Sequence, residues 1–136
     1  MAKKKTKTPI MSVDDPRFKS FLKAVLRQAS RFWKPSEVCI EKTKIARGIH
    51  QCPQCKKIYK RKEMKKDHIE PVIPVSGFTT WDDIIRRMFV GEEGWQALCM
   101  YCHDEKTQKE NEQRKALRKE KAVLGYYKKR RRKSDS

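Results

Sequence analysis

Cys52-Pro53-Gln54-Cys55 and Cys99-Met100-Tyr101-Cys102-His103 bracket the middle of this chain, and Asp67-His68-Ile69-Glu70-Pro71 lies between them. Each Cys-x-x-Cys turn offers two thiolates on one side of a tight bend. Two such knuckles predict a closed, tetrahedral four-cysteine zinc site. A closed site leaves no ligand position open to a substrate, so the zinc expected on Cys52, Cys55, Cys99 and Cys102 is structural. It would clamp the two ends of the intervening segment and bring Asp67, His68 and His103 together. Those three groups are not needed by the zinc. His50 would become a ligand only if a cysteine were missing, and none is. Cys39 lacks a knuckle partner and reads as a buried, inert thiol.

Composition sets the surroundings of this frame. The chain has 136 residues, of which 38% are charged and 37% hydrophobic, so the core is thin and a metal staple would support it. A net charge of +18 points to a polyanionic partner, nucleic acid before a membrane surface. No apolar run is long enough to span a bilayer, and no signal-type apolar stretch follows the basic start. Paired knuckles with one cysteine left over fit a reducing compartment, so the expected location is cytoplasmic.

Outward from the knuckles, Asp15-Pro16 predicts a helix start, with Asp15 as N-cap. Phe18, Phe21, Leu22, Val25, Leu26, Ala29 and Phe32 follow at helical spacing. Lys19, Lys23, Arg27 and Arg31 recur every fourth residue and form a basic stripe suited to phosphates. A second helix is expected from a Ser36 cap to Gly48. A short strand at Ile58 and Tyr59 and another from Lys66 to Val72 predict a hairpin carrying Asp67 and His68 on its second arm. Thr80-Trp81-Asp82-Asp83 reads as a capping box for a helix with Trp81, Ile84, Ile85, Met88 and Phe89 on one face. His103 opens a final helix with no large apolar residue from Asp104 to Lys115. Leu117, Val123 and Leu124 are placed to pack back or to meet a second chain. The run Lys128, Lys129, Arg130, Arg131, Arg132 and Lys133 is too repulsive to fold alone and suits a phosphate-grasping tail.

The order Cys-x-x-Cys, Asp-His-Ile, Leu-Cys-x-x-Cys-His, Lys-Thr over residues 52–107 closely resembles the zinc-containing HNH endonucleases, most of all small phage-encoded members. The resemblance implies an α+β fold. A ββα-metal (HNH) module is stapled by the four-cysteine zinc, with N-terminal helices, a helical insertion and a long basic C-terminal helix or tail. Taken with the reading of the flanking residues, this divides the chain into a disordered basic arm (1–12), an N-terminal helical segment (13–48), the nuclease domain (49–125) and a basic tail (126–136). By this resemblance His68 is the general base, and Asp67 and His103 hold a catalytic Mg²⁺ or Mn²⁺. The substrate it implies is DNA, which the basic residues would meet: the stripe Lys19, Lys23, Arg27 and Arg31, the 128–133 cations, and Lys106 and Lys109. The setting is the cytoplasm of a bacterium or a phage-infected cell. A homodimer and phage packaging proteins are the further partners this reading allows. One position departs from the family. Its middle Asn, which orients the base histidine, falls here on Gly94, and the only Asn in the chain is Asn111. The orienting bond must then come from a backbone carbonyl or from Ser76, Thr79 or Thr80. The alternative is a catalytically weak or inactive zinc-stabilised nucleic-acid-binding module, or a phage packaging accessory.

Overall fold

The protein is represented by a computed structural model that describes residues 12–135. Residues 1–11 of the expected basic arm lie outside the described residues. The fold is α+β, with two small antiparallel sheets and helices around them. Helix α1 (Pro16–Ser30) begins as its sequence demands, with Pro16 in the first turn and the Asp15 carboxylate accepting from the amides of Arg17 and Phe18. Helix α2 (Lys34–Glu41) has Trp33 as its N-cap and ends seven residues before Gly48. Ser36 is therefore not its cap. It lies inside the helix, buried, with its hydroxyl donating to the Trp33 carbonyl. Residues beyond Glu41 leave the helix for strand β1 (Lys44–Ala46), which pairs with β2 (Ile49–Gln51).

The expected hairpin is corrected here. Strand β3 (Ile58–Lys60) pairs with β2, not with the strand that carries Asp67. The first cysteine knuckle explains this, because it is itself the reversing turn. The Cys52 amide donates to the Lys57 carbonyl, the Lys56 amide donates to the Cys52 carbonyl, and Lys56 takes the left-handed conformation at φ +62°. Strand β4 (Met64–His68) is shorter than expected and pairs antiparallel with β5 (Trp95–Cys99). Its register sets Met64 opposite Cys99, Asp67 opposite Gln96 and His68 opposite Trp95.

Helix α3 (Trp81–Met88) fills the connection from β4 to β5. Thr80 caps it by accepting from the Asp83 amide at 3.2 Å, while the Asp83 carboxylate turns to Thr79 and Arg87 instead of completing the box. Helix α4 (Met100–Ser134) is one unbroken rod of 35 residues, about 52 Å long. It starts three residues before His103 and continues through the 128–133 run, so those cations stand on helix.

Two cores hold these parts. The larger joins Cys39 and Ile40 of α2 to Met64, Trp95, Ala97, Leu98 and the knuckle cysteines. The smaller packs Val72, Ile84 and Met88 against Leu26 of α1, Ile73, Phe78 and Phe89. Among the described residues only that side of α1 is covered, and Phe21 and Val25 stay exposed, as does Phe32 just past its end. Cys39 is buried with its thiol bonded to the Ser36 carbonyl, and His50 is buried against the Thr43 hydroxyl; neither is a knuckle ligand.

Candidate functional site

Cys52, Cys55, Cys99 and Cys102 bring their sulfurs within 4.8 Å of one another. Zinc–thiolate bonds of about 2.3 Å arranged tetrahedrally separate sulfurs by about 3.8 Å, and the Cys55 and Cys99 sulfurs stand 3.9 Å apart. The cluster therefore has the donor set and the size for a structural metal such as zinc. Amides already point at the sulfurs: Cys99 N–H to Cys52 Sγ and Cys102 N–H to Cys99 Sγ, both at 3.4 Å. The Tyr59 hydroxyl lies 3.7 Å from Cys55 Sγ. The Lys57 amide holds the Cys55 thiol down at about 6, while burial and the neighbouring thiols push Cys102 up to about 12. Four thiolates this close repel one another, and a divalent cation removes that conflict.

At the other end of the β4–β5 ladder lie Asp67 and His68. His103, one turn into α4, approaches Asp67 with Nε2 3.8 Å from Oδ1. These three residues line one cleft of about 400 Å³, together with Arg27 and Lys106. Neighbours on a strand face opposite ways, and the two strand residues do meet different elements. Asp67 reaches α4, whereas His68 meets the end of α3 and stacks on Trp95 with ring centroids 3.9 Å apart. The His68 ring nitrogen Nε2 lies 2.8 Å from the Met88 carbonyl, so it carries the proton there and leaves Nδ1 as the basic nitrogen of the neutral ring. Burial holds the His68 imidazole below the usual histidine range, and the positive charges of Arg27 and Lys106 add to this against the Met88 carbonyl and Asp67.

The group that fixes the His68 ring is thus the Met88 backbone carbonyl at the end of α3, and Ser76, Thr79 and Thr80 do not serve. Gly94 has its own reason to be glycine. A Cβ there would stand 2.3 Å from Val90 Cγ2 and 2.7 Å from Val90 Cβ. Its carbonyl also accepts from the Ile69 amide, which closes the ladder just past His68.

Two further residues hold Asp67. Gln96, opposite it on β5, donates to Oδ2 at 2.9 Å, and the Lys106 ammonium lies 3.0 Å from the same oxygen. Lys106 also bonds the Glu110 carboxylate at 2.7 Å and the His68 carbonyl at 3.0 Å. Burial disfavours its charge, but the bonds to Glu110 and Asp67 prevail and raise its pKa. Gln96 is the one polar residue of the otherwise apolar stretch 95–99, and that contrast is its signal in the sequence. The Met88 carbonyl has none, because every residue has one.

The expected phosphate-binding residues divide. Arg27 and Arg31 line a neighbouring cleft of about 430 Å³ that also touches His68, His103, Arg61 and Lys65. Lys19 sits 3.5 Å over the Phe78 ring and Lys23 is half-buried. Lys109 pairs with Glu105 on α4, and Lys106 is engaged as described. Lys128, Lys129, Arg130, Arg131, Arg132 and Lys133 are exposed along the last turns of α4. Searches against protein-family models, curated proteins and solved structures found no match for this chain.

Proposed function

We propose that this protein is a metal-dependent DNA endonuclease of the HNH type, stapled by a structural zinc on its four clustered cysteines. The observation that carries the reading is the convergence of Asp67, His68 and His103 on one cleft, with a backbone carbonyl fixing the His68 tautomer. The β4, β5, α4 order supports this reading, because a ββα-metal module runs strand, strand, helix. Asp67 Oδ1 and His103 Nε2 would hold Mg²⁺ or Mn²⁺. Their 3.8 Å separation is below twice a metal–ligand bond of about 2.1 Å, so one ion reaches both. Such an ion, when bound, neutralises the phosphate and stabilises the leaving alkoxide.

The remaining chemistry belongs to the chain. His68 Nδ1 takes a proton from water as that water attacks phosphorus, and burial keeps the ring neutral and ready at neutral pH. The Met88 carbonyl accepts from Nε2 throughout and steadies the imidazolium that forms. Gln96 fixes the Asp67 carboxylate. Arg27 and Arg31 meet phosphates beside the scissile one. The test is plasmid nicking with and without Mg²⁺ or Mn²⁺. Wild type should nick only with metal, and His68→Ala should not nick. Equal nicking by both would end the enzyme reading.

One observation favours a second reading, a zinc-stabilised nucleic-acid-binding module. The Asp67 carboxylate already has an ammonium partner in Lys106, so charge balance there does not require a metal. That reading expects DNA binding without nicking under any divalent ion.

A further inference from the structure

The first turns of α4 line the cleft through His103, Thr107, Asn111 and Arg114. At about 100° per residue, this is one helix face. Followed outward, the same face carries Arg118, Lys121, Lys128, Lys129 and Arg132, all within about 80° of the His103 direction. Glu120 is the only acid between Arg114 and Ser134, and it lies about 100° away. The acids Glu105 and Glu112 lie on the back of the helix, whereas Glu110 on the front is already held by Lys106.

The bearing of this face is fixed. Arg114 donates to the Ile73 carbonyl at 2.7 Å and Lys121 to the Ser76 carbonyl at 2.8 Å, which tie α4 to the loop that walls the cleft. Every residue from Arg118 to Asp135 is exposed.

We infer that this face is a phosphate track that holds duplex DNA on one flank of the cleavage cleft. The inference rests on the endonuclease reading for the identity of the polyanion. From His103 to Lys128 and Arg132 the helix rises about 38 and 44 Å. Duplex DNA advances about 3.4 Å per base pair, so the track reaches phosphates about 11–13 base pairs from the cleft. That is just over one helical turn, and the strand that faces the cleft faces the track again there. The structure thus assigns α4 as a ruler that sets the length of duplex engaged on one side.

The test is duplex binding by the full-length protein, without added Mg²⁺ or Mn²⁺, read as affinity against salt. The front-face triple Lys128→Gln, Lys129→Gln, Arg132→Gln should lose about tenfold or more in affinity near 0.1 M salt. Its log–log salt slope should fall by two to three, near 0.9 for each phosphate no longer neutralised. The back-face triple Lys115→Gln, Lys119→Gln, Arg130→Gln removes the same charge and should move the slope by less than one. With duplexes of increasing length, the wild-type slope should climb until about 13 base pairs and then level off. Equal losses in the two triples overturn the track, as does a plateau well short of one turn. In either case wild-type binding leaves the endonuclease reading standing. Tighter binding to duplex RNA with the same front-face dependence overturns the choice of DNA, and no binding to duplex DNA by wild type overturns both.

Discussion

The two ends of the β4–β5 ladder hold opposite kinds of site. At the Met64–Cys99 end, four sulfurs lie within 4.8 Å of one another, three of them on buried cysteines. At the His68–Trp95 end, a carboxylate and two imidazoles face an open cleft. The first site is closed by its own protein ligands. In the proposed function the second would offer an ion two protein ligands, leaving the rest of a coordination sphere to water or substrate. Five paired positions separate rigidity from chemistry, and the comparison teaches that the same register delivers both. A break at the closed end should reach the open end, and a break at the open end should stay local.

Cys99→Ser tests the first half and has the largest expected effect. A structural zinc is worth about 10–16 kcal/mol in small modules, about the whole stability of a typical domain or more. The variant should lose its zinc, about one per chain in wild type, and unfold by circular dichroism. Folded, active wild-type protein without zinc would remove the premise. His68→Ala tests the second half. Nicking should fall by about 10²–10⁴-fold through loss of general-base catalysis, while zinc content and divalent-ion binding persist. Asp67→Ala and His103→Ala should instead be partly rescued by excess Mn²⁺; rescue of His68→Ala to the same degree would blur the division of roles.

Gly94→Asn, which puts in place the Asn of the family the sequence resembles, sharpens the comparison at the open end. Its Cβ meets Val90 well inside contact distance, so stability should drop by about 1–3 kcal/mol. The Met88 carbonyl already orients His68, and the nicking rate should not rise. A faster, equally stable variant would show that Asn is wanted after all. The smallest effect is expected from Lys106→Met. Without its ammonium, Asp67 and Glu110 present bare carboxylates to the cleft, and Mn²⁺ affinity by calorimetry should rise severalfold. Weaker binding would mean that Lys106 organises the ion site and does not compete for it.

Much of this was legible in the residues. Cysteine spacing announced the cluster because thiolate geometry depends on local turns alone. Asp15-Pro16 and Thr80 announced two helix starts because caps are local too. Strand pairing was not legible. Ile58 and Tyr59 have the composition of a strand but carry no label for their partner, and the knuckle turn beside them decided it. The extent of α2 was lost for a related reason, since the 42–51 stretch leaves the helix to form β1 and β2 within the sheet. At the site, Asp67, His68 and His103 were legible as residue types in an order. The groups that hold them were not, because the Met88 carbonyl and the Val90 contact with Gly94 exist only once α3 is folded against the ladder.

The distal part of α4 has a consequence of its own. Lys128 and Arg132, and Lys129 and Lys133, stand four residues apart on a helix, where like charges repel by about 0.2–0.5 kcal/mol per pair. Cations near a helix C-terminus gain a comparable amount from its dipole, and Arg131, Arg132 and Lys133 occupy the last turn. The two contributions oppose each other along the same segment. A polyanion that lies along it removes the repulsion and leaves the dipole term. Helix content at the end of α4 should therefore rise when sulfate, heparin or DNA is added, making this part of the chain a reporter of anion occupancy.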